Sequence, residues 1–251
     1  MVYFVGAGPG DVELITVKGQ RLLREADLVV YAGSLVNPDH LKICKESAVT
    51  LDSASMTLEE VIEAITKAVN RGGLVVRLHT GDPSIYGAIR EQMDLLDTYG
   101  IEYEVVPGVS SFCGAAAALK AEYTLPDVSQ TVILTRAGGR TPVPEKEELS
   151  LLASHGATMV IFLSVGLAKT VRERLLEGGY TKDTPVAIVY KATWPDEKIY
   201  RGILGELEEL VTENQLTKTA LIVVGEFLGD RYDRSKLYDP TFTHLFREAS
   251  K

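Results

Sequence analysis

Three short loops hold most of the residues that could do chemistry. Gly6-Ala7-Gly8-Pro9-Gly10-Asp11 follows an apolar run at residues 2–5. Thr80-Gly81-Asp82-Pro83-Ser84-Ile85-Tyr86-Gly87 follows a run at residues 74–78, and Val106-Pro107-Gly108-Val109-Ser110-Ser111 closes one at residues 103–106. Glycine lets backbone amides and carbonyls approach a ligand closely, and proline fixes loop shape. Loops at the carboxyl ends of strands are where open α/β sheets bind small molecules. Each could also be an ordinary β–α turn. The first loop invites a dinucleotide reading, G-x-G-x-x-G, but fails it twice. Asp11 takes the third glycine's place, and the second strand ends at Tyr31 rather than at an acid for the ribose.

Other chemistries have less support. Cys44 and Cys113 are the only thiols, and His40, His79, His155 and His244 are scattered, with no H-x-x-x-H or C-x-x-C spacing. No protein-bound metal is therefore expected. The expected setting is the reducing cytoplasm, with both thiols free and no signal segment before the first strand. A net charge of −9 argues against a protein that grips the phosphates of nucleic acid. It leaves room for an anionic small molecule on a local cluster of arginines. No apolar run is long enough to span a bilayer, so no membrane partner is expected.

The elements that must position these loops alternate along the chain as short apolar runs and helical patterns, which predicts an α/β fold. Strands are expected at residues 2–5, 28–31, 74–78, 103–106, 131–134, 159–163, 186–190, 198–202 and 220–224. Thr57-Leu58-Glu59-Glu60 forms a capping box before Val61, Ile62, Ile65 and Val69, and Gly72-Gly73 ends that helix. Further helices are expected at 89–99, 145–154 and 167–177. The composition shifts at residues 121–127, where Pro126 cannot continue the Ala-rich helix and a fresh strand follows, so the domain boundary is placed in that stretch. The domains are then 1–122, carrying the Gly/Pro-rich loops, and 123–251.

Taken together and in order, the three loops resemble the tetrapyrrole methylases, enzymes that use S-adenosylmethionine. Leu14-Ile15-Thr16 and Ala26-Asp27-Leu28-Val29-Val30-Tyr31 add to the likeness. Three stretches are similar to the branch that methylates C-11 of precorrin-4 or cobalt-precorrin-4 in cobalamin biosynthesis. They are Tyr31-Ala32-Gly33-Ser34-Leu35-Val36, the run from Leu134 through Arg136, Gly138, Gly139 and Arg140 to Pro144, and Val189-Tyr190-Lys191-Ala192-Thr193-Trp194-Pro195-Asp196-Glu197. The resemblance implies two α/β domains with a cofactor cleft between them, a small tetrapyrrole as substrate, and a homodimer. It implies that Pro9, Thr80, Gly81, Asp82, Ile85, Ser110 and Ser111 line the cofactor from the first domain, and Leu163, Ala192, Thr219 and Ala220 from the second. Asp82 could instead merely cap a turn. The substrate's carboxylates call for cations. Arg136 and Arg140 are the first candidates, with Lys120, Arg90 and Lys191 behind them, although each could be a solubilising charge. Some relatives carry an aspartate after the tyrosine of the second strand, where this chain has Ala32, so no catalytic base is carried over. Methylation at another ring position, and a non-catalytic nucleotide-binding module, are the alternatives.

Overall fold

The computed structural model describes residues 1–250. Two compact units account for them: Met1–Gly114 with Lys191–Glu197, and Ala115–Tyr190 with Lys198–Lys251. The expected boundary after residue 122 thus moves into α4 (Ser111–Leu119), and one segment of the expected second domain packs with the first. Contacts explain the shift. Gly114 leaves room for the Pro9 ring and the Thr193 methyl, while the Leu119 carbonyl at the helix's far end accepts from Arg201 at 2.9 Å.

The first unit is a five-stranded sheet in the order β3-β2-β4-β1-β5. Its strands are β1 (Val2–Gly6), β2 (Leu28–Tyr31), β3 (Val49–Asp52), β4 (Val75–His79) and β5 (Tyr103–Val106), all parallel. β4 is buried along its whole length, as a parallel strand covered on both faces must be. One face buries Val5, Val76 and Leu78 under Leu22 and Leu23 of α1 (Val17–Glu25). The other buries Phe4, Val30 and Val75 under Val61, Ile62 and Ile65 of α2 (Leu58–Asn70) and Leu96 of α3 (Arg90–Thr98). The capping box of α2 is present, with Thr57 and Glu60 each bonded to the other's backbone. β1 and β4 are neighbours, yet the helices that follow them lie on opposite faces. The crevice this opens at their carboxyl ends is where α/β sheets of this kind take ligands.

The second unit is a mixed sheet in the order β6-β7-β10-β8-β9. It comprises β6 (Val132–Arg136), β7 (Thr158–Phe162), β8 (Pro185–Tyr190), β9 (Lys198–Ile203) and β10 (Ala220–Val224). β6 and β7 run parallel, and β10 lies antiparallel between β7 and β8. Met159, Ile161, Ile188 and Ile222 bury against Leu149 of α5 (Leu149–Ala153), Val171 and Leu175 of α6 (Ala168–Glu177), and Leu207 of α7 (Leu207–Glu213). The helix expected at 145–154 is a 3-10 turn followed by the short α5. β3 and α7 were not foreseen from the pattern.

Candidate functional site

The three loops of the first unit meet backbone to backbone at the β1–β4 crevice. Gly8 and Gly81 exchange two hydrogen bonds, with N···O distances of 3.3 and 2.8 Å. Ala7 donates to the His79 carbonyl at 2.8 Å. A Cβ on Gly6 would lie 2.6 Å from both Gly108 Cα and the Gly81 oxygen, and one on Gly108 only 2.2 Å from that oxygen. Only hydrogens fit there, so glycine at 6 and 108 is a packing requirement. Gly81 is different: its φ of +60° is left-handed, and its nearest neighbour would be Ser111 N at 3.4 Å. There glycine serves conformation.

Asp82 ties two of these loops together. Its Oδ2 accepts from Gly108 N at 2.8 Å, while Oδ1 accepts from Ser84 N at 2.8 Å and from the Ser84 hydroxyl. Burial pushes its carboxyl up, but the Ser84 and Gly108 hydrogen bonds outweigh that and hold it below the ordinary carboxylate range. The carboxylate therefore caps a turn and clasps the β5 loop at once. Further along, Arg77 is buried on β4 and donates to the Val30 carbonyl at 3.1 Å and to Gln92 at 3.2 Å. Gln92 in turn donates to the carbonyl of Ala88, a left-handed residue closing the β4 loop. Burial brings Arg77 down to about 10, and burial together with Arg77 brings His79 down to about 3. A neutral, buried His79 thus lies directly before Thr80.

The expected cofactor residues of the first unit come together. Pro9, Gly81 and Ser110 are buried, and Thr80, Asp82, Ile85 and Ser111 are partly exposed on the same three loops. Ala192, buried at 6% exposure, also falls in this unit through the segment Lys191–Glu197. In the second unit Leu163 directly follows β7, and Thr219 and Ala220 open the antiparallel β10, so the three share one end of that sheet. Leu163 is 67% exposed with a left-handed φ of 54°, and Thr219 is left-handed too.

The candidate cations divide. Arg136 donates to the carbonyls of Ala137, Thr141 and Pro142 at 3.3, 3.1 and 2.7 Å, so its guanidinium braces its own loop. Ala137 N is bonded to the buried Ser164 hydroxyl at 2.8 Å, tying that loop to the one after β7. Beneath it a cleft of about 270 Å³ opens beside Gly138, Pro142, Glu148 and Arg174. Arg140 is exposed on the loop's outer turn, and Lys120 is exposed just past α4. Arg90 is paired with Asp94 at 2.8 Å, and Lys191 with Asp196 at 2.6 Å. Two positions after Tyr31, beyond Ala32, the Gly33 N–H donates to Asp52 at 2.9 Å.

Sequence reasoning did not find the side chains that hold the first loop. Asn37 donates to the Gly10 carbonyl at 2.8 Å, Trp194 to the Pro9 carbonyl at 3.0 Å, and the Thr193 hydroxyl accepts from Asp11 N at 3.0 Å. His40, three residues after Asn37, is buried. The signal available was the lone tryptophan in a branch-specific stretch, which marks importance but not the partner.

A crevice of three close-packed Gly/Pro loops at a switch point defines a small-molecule site of the α/β class. The chain belongs to the tetrapyrrole (corrin/porphyrin) methylases, whose family pattern matches residues 1–208. It is 57% identical to the cobalt-precorrin-4 C(11)-methyltransferase of Methanocaldococcus jannaschii over 251 residues, covering 100% of this chain and 97% of that one. Among solved structures it is similar to a cobalt precorrin-4 methyltransferase of cobalamin biosynthesis, with a TM-score of 0.89 and 51% identity over 91% of this chain and 96% of the other. A uroporphyrin-III C-methyltransferase from Thermus thermophilus complexed with S-adenosylhomocysteine aligns with a TM-score of 0.75 and 28% identity over 90% of this chain and 92% of the other.

Proposed function

We propose that this chain is an S-adenosylmethionine-dependent methyltransferase of cobalamin biosynthesis that methylates C-11 of cobalt-precorrin-4, or of the metal-free precorrin-4. The observation that carries the reading is the glycine crevice, in a chain of this family. Gly6 and Gly108 let the three loops close on one another and Gly81 supplies a left-handed turn, so that backbone lines the crevice, which suits a polar cofactor read by amides and carbonyls. Pro9, Thr80, Gly81, Asp82, Ile85, Ser110, Ser111 and Ala192 of the first unit would hold it, and Leu163, Thr219 and Ala220, at one end of the second unit's sheet, are assigned to the cofactor on the family likeness.

When bound, the cofactor supplies a methyl group on a positive sulfonium. The chain's share of catalysis is to bind, orient and keep water out. Fixing the methyl and a ring carbon in line contributes up to ~7–11 kcal/mol at its ceiling, and a dry site protects the sulfonium. Rigid loops serve both ends, which accounts for the Asp82 clasp and the Arg77–Gln92 brace. Arg140 is the cation we assign to a substrate carboxylate. Arg136 acts with it by holding the loop in shape, and Lys120 is a second candidate. Arg90 and Lys191 carry less weight because their charges are already paired. Among the described residues no helix is long and apolar enough to cross a membrane. Both cysteines are unpaired, which suits a cytoplasmic setting. The family likeness supports a homodimer.

Thermal unfolding tests the cofactor reading. A ligand selective for the native state at a hundred times its Kd adds about 2.7 kcal/mol. S-adenosylhomocysteine is expected to raise the Tm while NAD and ATP leave it unchanged. A shift with NAD and none with S-adenosylhomocysteine at millimolar concentration would sink the proposal.

A further inference from the structure

We propose that Thr193 and Trp194 form a latch that sets the shape of the Pro9-Gly10-Asp11 loop for the cofactor, making Trp194 a positioning residue and its fluorescence a direct report of cofactor binding. The inference rests on the cofactor reading above. The segment Lys191–Glu197 joins β8 to β9 in sequence, yet it packs within the first unit. There it supplies two of the three side chains that bond to consecutive backbone groups of the loop. The Trp194 indole N–H donates to the Pro9 carbonyl at 3.0 Å, and the Thr193 hydroxyl accepts from Asp11 N at 3.0 Å. Asn37 supplies the third bond, to the Gly10 carbonyl.

The fit is mutual. A Cβ on Gly10 would stand 2.1 Å from Trp194 Cδ1, so the ring occupies the space a side chain at 10 would need. Gly114, one turn into α4, leaves room for both the Pro9 ring and the Thr193 methyl. The segment itself is held in a costly form. Lys191 and Thr193 both have left-handed φ, 49° and 67°, a conformation that persists only where the surroundings over-determine it. Those surroundings are present: Thr193 N donates to Glu197 at 2.6 Å, Lys191 pairs with Asp196, and its ammonium lies 5.3 Å from the centre of the Trp194 ring. A loop end that only filled space would need neither an indole N–H aimed at a loop carbonyl nor two strained residues in three.

Trp194 is the only tryptophan of the chain, so emission excited beyond the tyrosine absorption band reports on this one side chain. Titration with S-adenosylhomocysteine should change it saturably, with the Kd that calorimetry gives. Trp194→Phe keeps an aromatic ring but removes the N–H, and Thr193→Ala removes the acceptor. Each should weaken S-adenosylhomocysteine binding and raise the KM for S-adenosylmethionine about 3- to 10-fold, the range for one lost hydrogen bond. The kcat and the tetrapyrrole KM should stay within about twofold, and Thr193→Ser, which keeps the hydroxyl, should restore wild-type affinity. Variants that bind as tightly as the wild type would overturn the latch, and so would a parallel fall in every kinetic constant and in Tm. Failure of the wild type itself to bind S-adenosylhomocysteine would be a different result, removing the cofactor reading and the latch with it.

Discussion

Gly108→Ala should lose the rise in Tm that S-adenosylhomocysteine gives the wild type, and should fold less stably by about 3 kcal/mol or more. The new methyl would stand 2.2 Å from the Gly81 oxygen and 2.7 Å from Gly6 Cα. All the obstructing atoms are backbone, so no side-chain rotation can clear them and the three loops must part. Overpacking alone costs ~1–3 kcal/mol. Parting the loops also breaks the Gly108 N–H to Asp82 hydrogen bond, and bonds to charged groups contribute about 1.5–3 kcal/mol. Gly81→Ala provides the contrast. It has room for the methyl but a left-handed φ, and should lose only about 1–2 kcal/mol while keeping some cofactor affinity. Urea unfolding with and without S-adenosylhomocysteine measures both effects. A Gly108→Ala protein that binds and unfolds like the wild type would show that the loops are not packed as described.

Acid should destabilise the protein well before its carboxylates are protonated. His79 is buried, and burial together with the neighbouring Arg77 lowers it to about 3 from an ordinary 6.5. Between those values the unfolded chain takes up a proton that the folded chain refuses. The stability from neutral His79 is therefore complete above pH 6.5 and is lost as pH falls. The slope approaches 1.4 kcal/mol per pH unit, on the order of 4–5 kcal/mol by pH 3. His40 is lowered in the same sense, chiefly by burial, and steepens the decline. Asp82 adds its share only below about pH 4, where the unfolded chain's carboxyl takes up a proton that the depressed carboxyl of the folded chain still refuses. His79→Phe keeps a ring near Phe4, whose centroid is 6.0 Å from the imidazole, and removes the titration. Its free energy of unfolding should fall less steeply than the wild type's between pH 6.5 and 4, whatever its value at pH 7. Parallel curves would mean that His79 is protonated in the folded protein.

Much of this was legible in the sequence, for identifiable reasons. The three loops stand out because glycine and proline mark backbone conformation wherever they occur, and the α2 capping box because its two residues are local. β3 was not legible. It is an edge strand of only four residues, three of them exposed, so its brief apolar–polar alternation marks no buried face. The boundary in the stretch 121–127 was read from a composition shift and a helix breaker, whereas the compact units divide inside α4, where tertiary partners change. Arg136 reads as a free charge beside Gly138 and Gly139, and only folding brings the Thr141 and Pro142 carbonyls to it. The contact between Trp194 and Pro9 joins residues 185 positions apart, a separation that no local pattern encodes.

The central claim is methyl transfer to one carbon of one macrocycle. The direct test is to incubate the protein with S-adenosylmethionine labelled in its methyl group and with cobalt-precorrin-4, or in parallel precorrin-4, and to locate the label in the product by NMR. The expected result is a single new methyl at C-11, formed from at least one of the two substrates together with an equivalent of S-adenosylhomocysteine. A label at a different ring carbon, or no transfer to either substrate by protein that binds S-adenosylhomocysteine, would contradict it.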